Sequence, residues 1–182
     1  MRSSERSPVY NRAFPLLIRI GLGTMWLYAG VVEKLLDPGY LNPSSKSYVG
    51  ITIEILMGSP IMRGFLETVV FPHVYLVGLL VMIGEISIGT LTLLGVLSRF
   101  TNTVAFYTNL IYFLSAYWID AEEYGLNLLM MILDLYIVFN GPSSPSVDSL
   151  ISKVWKRVDD WKLWFVAGSV LYIFVILFIY FV

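Results

Sequence analysis

The hydrophobic pattern of the chain is dominated by a long apolar stretch, residues 74–97, whose one charged side chain is Glu85. At ~1.5 Å per residue, a helix of this length crosses the ~30 Å hydrocarbon core of a bilayer. Glu85, Gly89 and Thr92 recur at helical spacing, so one face of the helix is small and polar. Because an ionisable group at mid-membrane costs at least ~2.5–3.5 kcal/mol, this face is predicted to point into a helix bundle.

Other apolar segments predict four further helices, at residues 14–36, 101–118, 124–139 and 163–182. Small and polar residues follow one face of the first of them: Arg19, Gly23, Trp26, Gly30 and Lys34. The segment 124–139 carries Asp134 in its interior, and the last segment has no charged residue. The pattern therefore predicts an all-α membrane protein with a four-helix transmembrane bundle and a fifth, C-terminal transmembrane helix.

A long outer loop, residues 37–72, separates the first two predicted spans. Residues 47–57 alternate like a strand, but a lone strand has no pairing partner, so a helix is favoured. Residues 61–70 are amphipathic, with Arg63 and Glu67 four apart on the polar side. We expect an amphipathic helix here that lies on the membrane surface or covers the bundle.

The remaining connections are short, and their charges predict the orientation of the chain. Residues 98–100 are predicted as a tight turn, 120–123 as an acidic loop and 148–162 as a charged connector. With five spans, one side collects most of the basic residues: Arg2, Arg6, Arg12, Arg99, Lys153, Lys156, Arg157 and Lys162. This bias predicts a multi-pass plasma-membrane protein with a cytoplasmic N-terminus and an outside C-terminus. No small-residue cleavage site follows the first helix, so we expect it to be retained.

Composition supports the membrane assignment and limits the chemistry. Of 182 residues, 57% are hydrophobic and 14% are charged, and the mean hydropathy is +0.75. The net charge is −1, so no nucleic-acid partner is expected. With no cysteine and a single histidine, His73, the chain is expected to bind neither metal nor haem. Redox chemistry here would need a diffusible carrier or a partner subunit.

Three ionisable residues lie within predicted spans and are candidates for chemistry. Glu85 and Asp134 lie at similar depth, where buried carboxylates can move protons to or from a reduced carrier. Arg19 could hold an anion, polarise a quinone carbonyl or pair with Glu85. The alternative is that all three only pair and hydrogen-bond, which would set the register of the bundle.

On the outer side, few cationic groups could meet an anion. They are Lys34, Lys46, Arg63 and His73. Lys34 and His73 are the stronger candidates for an anion site, to which Arg63 could add. In the alternative interpretation Lys34 extends to the membrane interface and Arg63 pairs with Glu67.

Several short motifs, taken in order, resemble the DoxX/DoxD family of small membrane proteins. They are Arg19-x-Gly21-x-Gly23, Ala29-Gly30-x-x-Glu33-Lys34-Leu35, Gly84-Glu85-x-x-x-Gly89, Leu94-Gly95-x-x-x-Arg99, and Gly141-Pro142 before Ser146-Val147-Asp148. The resemblance covers residues 19–148. The fifth helix and the long outer loop are more similar to the DoxD branch than to the four-helix DoxX proteins. We expect residues 1–148 to form the bundle with outer loop 37–72. Residues 149–182 would supply a cytoplasmic connector and the fifth transmembrane helix.

The resemblance to the DoxD branch implies a function. It points to the membrane subunit of a thiosulfate:quinone oxidoreductase, which oxidises thiosulfate to tetrathionate and reduces a membrane quinone. The resemblance implies three partners: a DoxA-like second subunit, the lipid bilayer and, through the family's association with a terminal quinol oxidase, subunits of that complex. Glu85 and Asp134 are then the candidate catalytic residues, and Arg19, Lys34, His73 and Arg63 the candidate substrate-binding residues. The alternative is a non-catalytic membrane subunit of a quinol oxidase complex.

Overall fold

The computed structural model of the protein describes residues 10–142 and 144–182, and within these ranges every regular element is a helix. Arg2 and Arg6, which enter the orientation argument, lie outside the described residues, as does the side chain of Arg12. The predicted all-α membrane fold is confirmed. The described α-helices are α1 (Tyr10–Leu27), α2 (Val49–Leu56), α3 (Arg63–Phe65), α4 (Val74–Leu94), α5 (Ser98–Ala116), α6 (Ala121–Asn140), α7 (Val147–Ile151) and α8 (Trp161–Phe181).

Three of the described helices are long and apolar enough to cross a membrane: Ala13–Leu35, Arg63–Leu94 and Trp161–Phe181. α5 and α6 have 19 and 20 residues, which at ~1.5 Å per residue is close to the thickness of a bilayer core. α5 carries the buried amides Asn102 and Asn109, and α6 carries the buried carboxyl group of Asp134. That α5 and α6 also span the membrane stays a prediction.

α1 and α4 pack antiparallel, and glycines set their separation. α1 continues as a π-helical segment, Tyr28–Leu35, beside α4. A Cβ on Gly89 would lie 2.7 Å from the backbone nitrogen of Leu27, and a Cβ on Gly30 would lie 2.8 Å from that of Ile86. Only glycine allows this approach of two backbones. The predicted small face of the second span therefore packs against the predicted small face of the first.

The interior of the bundle lies between α1, α4, α5 and α6. Its apolar core is a cluster of buried side chains from all four helices: Ile18, Leu22, Trp26, Ile88, Ala105, Met130 and Ile137. α8 packs on the outside of α5, where the Tyr107 hydroxyl lies 3.0 Å from Ser169 Oγ and the Tyr107 ring stacks on Tyr172. The fifth predicted helix thus lies on the edge of the bundle.

The outer loop forms a packed layer over one end of the bundle, called here the α2 end. Residues 47–57 contain α2, so the helical interpretation is confirmed. The amphipathic helix predicted over residues 61–70 is present from Arg63 onward, but it does not end at Pro72, since helical structure runs from Arg63 to Leu94. Pro72 lacks the N–H that a regular helix needs, and the chain passes through a π-helical segment, Leu66–Val70, and a 3₁₀ turn instead of breaking.

At the opposite end of the bundle, called here the α7 end, Asp148 links α7 to the turn before α5. Its two carboxylate oxygens accept hydrogen bonds from the backbone N–H groups of Leu97 (2.8 Å) and Ser98 (2.7 Å). The predicted turn at residues 98–100 is wrong, since α5 already begins at Ser98. The turn lies at residues 95–97, where Gly95 and Leu97 have φ of 66° and 44°. A left-handed leucine is strained, and the Asp148 hydrogen bonds help to hold it.

The acidic segment at residues 120–123 also differs from its prediction. Only Asp120 precedes α6, and the helix starts at Ala121. The side chain of Asp120 accepts the backbone N–H of Glu122 at 3.0 Å, which is the hydrogen bond of a helix-capping residue. Glu122 and Glu123 therefore belong to the first turn of α6 rather than to a loop, and negative charge is favoured there by the helix dipole.

Candidate functional site

Glu85 lies in the bundle with 2% of its surface exposed, and two partners hold its carboxylate. Lys34 Nζ lies 2.6 Å from Oε2, and the Tyr112 hydroxyl donates to Oε1 at 2.9 Å. Lys34 reaches Glu85 because Gly30, one turn earlier, packs directly on Ile86, and helical side chains lean toward the N-terminus of their own helix. The predicted burial of Glu85 inside a bundle is confirmed by this geometry.

Lys34 is the part of this arrangement closest to the surface. Its side chain is 15% exposed, and Nζ also donates to the carbonyl of Ala29 at 3.3 Å. The ammonium group lies 5.8 Å from the ring centroid of Tyr40, within cation–π range. The Tyr40 hydroxyl donates to the carbonyl of Gly78 at 3.2 Å. Burial raises the pKa of Tyr40 well above its ordinary value, and the nearby charge of Glu85 adds to this.

These four residues, Lys34, Tyr40, Glu85 and Tyr112, are called here the Glu85 cluster. Lys34 lies in the π-helical segment that ends the first helix, and a second π-helical segment precedes α4. Short π-helical stretches occur often at functional sites, where they redirect side chains at a cost in helix stability. Lys34 was one of the candidates from sequence, whereas Tyr40 and Tyr112 were not. Tyr112 lies three residues after Asn109 on a polar helix face, which is the signal that could have identified it.

Asp134 is the second buried acid, and it is fully enclosed. Its exposed fraction is 0%, and Oδ2 accepts a hydrogen bond from Asn109 Nδ2 at 2.8 Å. Within the described residues, Oδ1 has no hydrogen-bond partner. Asn109 and Tyr112 are one turn apart on α5, so one partner of each acid lies on the same helix face. The two candidate catalytic residues, Glu85 on α4 and Asp134 on α6, therefore both bond to the polar face of α5.

Arg19 lies at the α7 end and not beside Glu85. It is 4% exposed and donates from Nη2 to the carbonyl of Pro145 at 2.5 Å. Its Nη1 packs against Gly95, ten residues beyond Glu85, which is ~15 Å along the helix. Of the alternatives for Arg19, pairing with Glu85 is thus wrong, because Lys34 occupies that position. Arg19 sits near Asp148, in the junction that closes the α7 end.

The other candidate cations are not gathered at the Glu85 cluster. Arg63 Nε lies 2.7 Å from Glu67 Oε1, and both side chains are well exposed, so the expected surface pair is confirmed. His73 is half-buried in the 3₁₀ turn before α4, twelve residues from Glu85 or ~18 Å along the helix. Lys46 is exposed. Roles for Arg63 and His73 in binding substrate stay predictions.

In the part of the chain that the structure describes, no group of three or more histidine and acidic side chains is placed to hold a metal ion. The polar groups of the Glu85 cluster, Asp134 and Asn109 are an ammonium, two carboxyl groups, two phenols and an amide. Such groups can exchange protons and donate hydrogen bonds, so the arrangement suits acid–base work on a bound molecule.

A family model described as TQO small subunit DoxD matches residues 14–178 of the chain. The chain belongs to the DoxD family. The match contains every residue of the Glu85 cluster as well as Asp134 and Arg19. Since the DoxD description names a small subunit, the family implies a partner subunit and a membrane location. No curated protein and no solved structure matches this DoxD chain.

Proposed function

We propose that this chain is the membrane subunit of a thiosulfate:quinone oxidoreductase, which oxidises thiosulfate to tetrathionate and reduces a membrane quinone with the help of a DoxA-like subunit. The proposal is supported by the DoxD family and by one observation: a buried carboxylate, Glu85, held between an ammonium group and a phenol. Two thiosulfates join through a new S–S bond and release two electrons and no proton. The quinone takes up both electrons and two protons, so the site must supply protons.

Glu85 is the proposed proton relay. A quinone is confined to the lipid phase, and its reduced oxygens need protons inside the bundle. A carboxylate that alternates between its charged and protonated forms can pass them on, and the Tyr112 hydroxyl in contact with Oε1 extends the relay by one step. Asp134, whose partner Asn109 lies one turn before Tyr112 on α5, offers a second carboxyl group.

Lys34 links the relay to an anionic substrate. Thiosulfate is a dianion, and the partly exposed ammonium group of Lys34 is the nearest positive charge to Glu85. An anion that binds Lys34 competes with Glu85 for that charge. A carboxylate that loses its counter-ion in a buried site takes up a proton. Anion binding would therefore load the relay before the quinone is reduced.

The rest of the assignment follows from the charge distribution of the loops. The α2 end would face the outside, where thiosulfate arrives, and the α7 end the cytoplasm, with the N-terminus cytoplasmic and the C-terminus outside in the plasma membrane. Arg19 would then act at the inner end of the bundle, toward a quinone or as a structural contact. His73 and Arg63 would attract the anion at the surface.

The test is Glu85→Gln in membranes that also contain the partner subunit. Gln keeps the shape of the side chain and the contact with Tyr112 but cannot carry a proton. Thiosulfate-dependent quinone reduction should fall ~10²- to 10⁴-fold with the complex still assembled. Glu54→Gln, which neutralises an exposed carboxylate on α2, should leave turnover unchanged.

Two outcomes would contradict the proposal. If Glu85→Gln abolishes assembly and a suppressor that restores assembly also restores full turnover, Glu85 is structural. If cells without this chain keep full thiosulfate activity and the chain co-purifies with haem–copper subunits, it belongs to a quinol oxidase complex instead.

A further inference from the structure

Trp26 is the largest side chain in the bundle interior, and its indole N–H is buried with it. The residue is 2% exposed, and its indole N–H has no hydrogen-bond partner among the described residues. A buried indole nitrogen is usually matched by an acceptor, because an unmatched donor costs about 1–3 kcal/mol. Phenylalanine would fill an apolar core without that cost. The retained N–H therefore points to an acceptor that comes from outside the chain.

The surroundings of Trp26 identify the place where that acceptor would lie. Its ring centroid is 6.5 Å from that of Tyr112, whose hydroxyl donates to Glu85. Trp26 belongs to the same core cluster as Met130, which lies one turn before Asp134 on α6. Asp134 in turn has an unmatched carboxyl oxygen. The interior of the bundle thus holds an unmatched donor on α1, beside Tyr112 of the proposed relay, and an unmatched carboxyl oxygen on α6.

A quinone headgroup fits these groups chemically. It is flat and apolar, which suits packing against aromatic rings, and it carries two carbonyl oxygens that accept hydrogen bonds and no donor in its oxidised form. An indole N–H can only donate. It is therefore complementary to the oxidised quinone, and it becomes more so as negative charge builds on the oxygen during reduction. Trp26 lies on the first helix, so this contact would come from the helix that also carries Lys34.

We propose that the indole N–H of Trp26 donates a hydrogen bond to a carbonyl oxygen of the bound quinone, beside Tyr112 and Glu85. This inference rests on the proposed function and adds a binding contact to it. Trp26 positions the quinone so that the oxygen to be protonated lies near the relay. It is a substrate contact and not a proton donor, because the indole N–H does not ionise near neutral pH.

Trp26→Phe tests the contact, because it keeps an aromatic ring and removes only the donor. The KM for quinone should rise ~3- to 10-fold, as expected for one lost hydrogen bond, and the KM for thiosulfate should not change. In infrared difference spectra with carbonyl-labelled quinone, the stretch of one bound carbonyl should shift to higher frequency in the variant. Trp118→Phe is the matched control, since its N–H already donates to the carbonyl of Ser115 at 3.0 Å.

The spectra separate the possible outcomes. If the carbonyl stretch and the quinone KM are the same in Trp26→Phe and in the unaltered protein, the inference is overturned, and the N–H is matched by water or by a lipid group. The spectra also work without turnover. A protein that binds quinone with the Trp26-dependent shift but never reduces it with thiosulfate would overturn the proposed function and support the contact.

Discussion

The two buried acids of the bundle have unlike surroundings, although each has a partner on one face of α5. Glu85 has an ammonium group 2.6 Å from one oxygen and a phenol 2.9 Å from the other. Asp134 has a single amide N–H at 2.8 Å, and its other oxygen is unmatched within the described residues. A buried carboxylate is stable only with a counter-ion or several donors. Glu85 therefore suits the charged form, and Asp134 the neutral acid.

The sequence pattern predicted the same catalytic role for both acids, but their surroundings suit them to different roles. A proton relay must change its charge during turnover. Its counter-ion must therefore be able to pair with the charged carboxylate and to separate from the protonated one. Lys34, which is partly exposed, gives Glu85 such a counter-ion. Asp134 is fully enclosed and can offer a fixed hydrogen bond to a bound molecule. We therefore expect Glu85 to respond to anions and pH, and Asp134 to respond to neither.

The largest expected effect is that of Lys34→Met, which leaves the Glu85 carboxylate without its counter-ion and so removes its main difference from Asp134. Removing one partner of a buried ion pair typically costs ~3–5 kcal/mol, and because Lys34 is partly exposed we expect the lower end of this range. The free energy of unfolding in detergent measures this loss. The loss should shrink as the pH falls, since Glu85 can then be protonated.

The matched control is Arg63→Met, which removes the cation of the exposed Arg63–Glu67 pair. This change should cost less than ~1 kcal/mol, because exposed ion pairs contribute little. Adding Glu85→Gln to Lys34→Met should restore most of the lost stability. If Lys34→Met and Arg63→Met lowered the free energy of unfolding equally, the Lys34–Glu85 pair would contribute no more than an exposed ion pair.

Tyr112→Phe tests the second partner of Glu85, because it removes the hydroxyl that donates to Oε1. The hydroxyl donates to a charged acceptor, and such hydrogen bonds contribute ~1.5–3 kcal/mol to stability. In a Glu85→Gln background the same change should cost about half as much, because the acceptor is then neutral. A double-mutant cycle of unfolding free energies gives the coupling directly. A coupling near zero would mean that Glu85 is already protonated in the resting protein.

The burial of Glu85 and the close packing of its helix could be predicted from sequence, for a physical reason. A carboxylate in an apolar helix must face other helices, and glycines spaced along the same face can only serve a close approach. Gly30 and Gly89 do so in the structure. The all-α fold and the breaks after the first helix follow from the same local signals.

The partner of Glu85 could not be predicted in this way. Arg19 and Lys34 lie on one face of the first helix, and periodicity alone does not tell which of them reaches the acid. The antiparallel register decides, since it sets Gly30 against Ile86 and brings Arg19 to Gly95. Asp148 is a similar case: it holds the start of α5 from fifty residues away, which no local pattern encodes.

The smallest expected effect is that of Asp134→Asn, and it tests the other side of the comparison. If Asp134 is neutral, the amide oxygen of Asn keeps the hydrogen bond from Asn109, and the NH₂ group takes the place of the acid O–H. Stability should then change by less than ~1 kcal/mol, with no pH dependence of the difference near neutrality. Infrared spectra should lose the carbonyl band of one protonated carboxylic acid. A loss as large as that in Lys34→Met would instead assign a charge to Asp134, and the two acids would then have to be regarded as one coupled pair across α5.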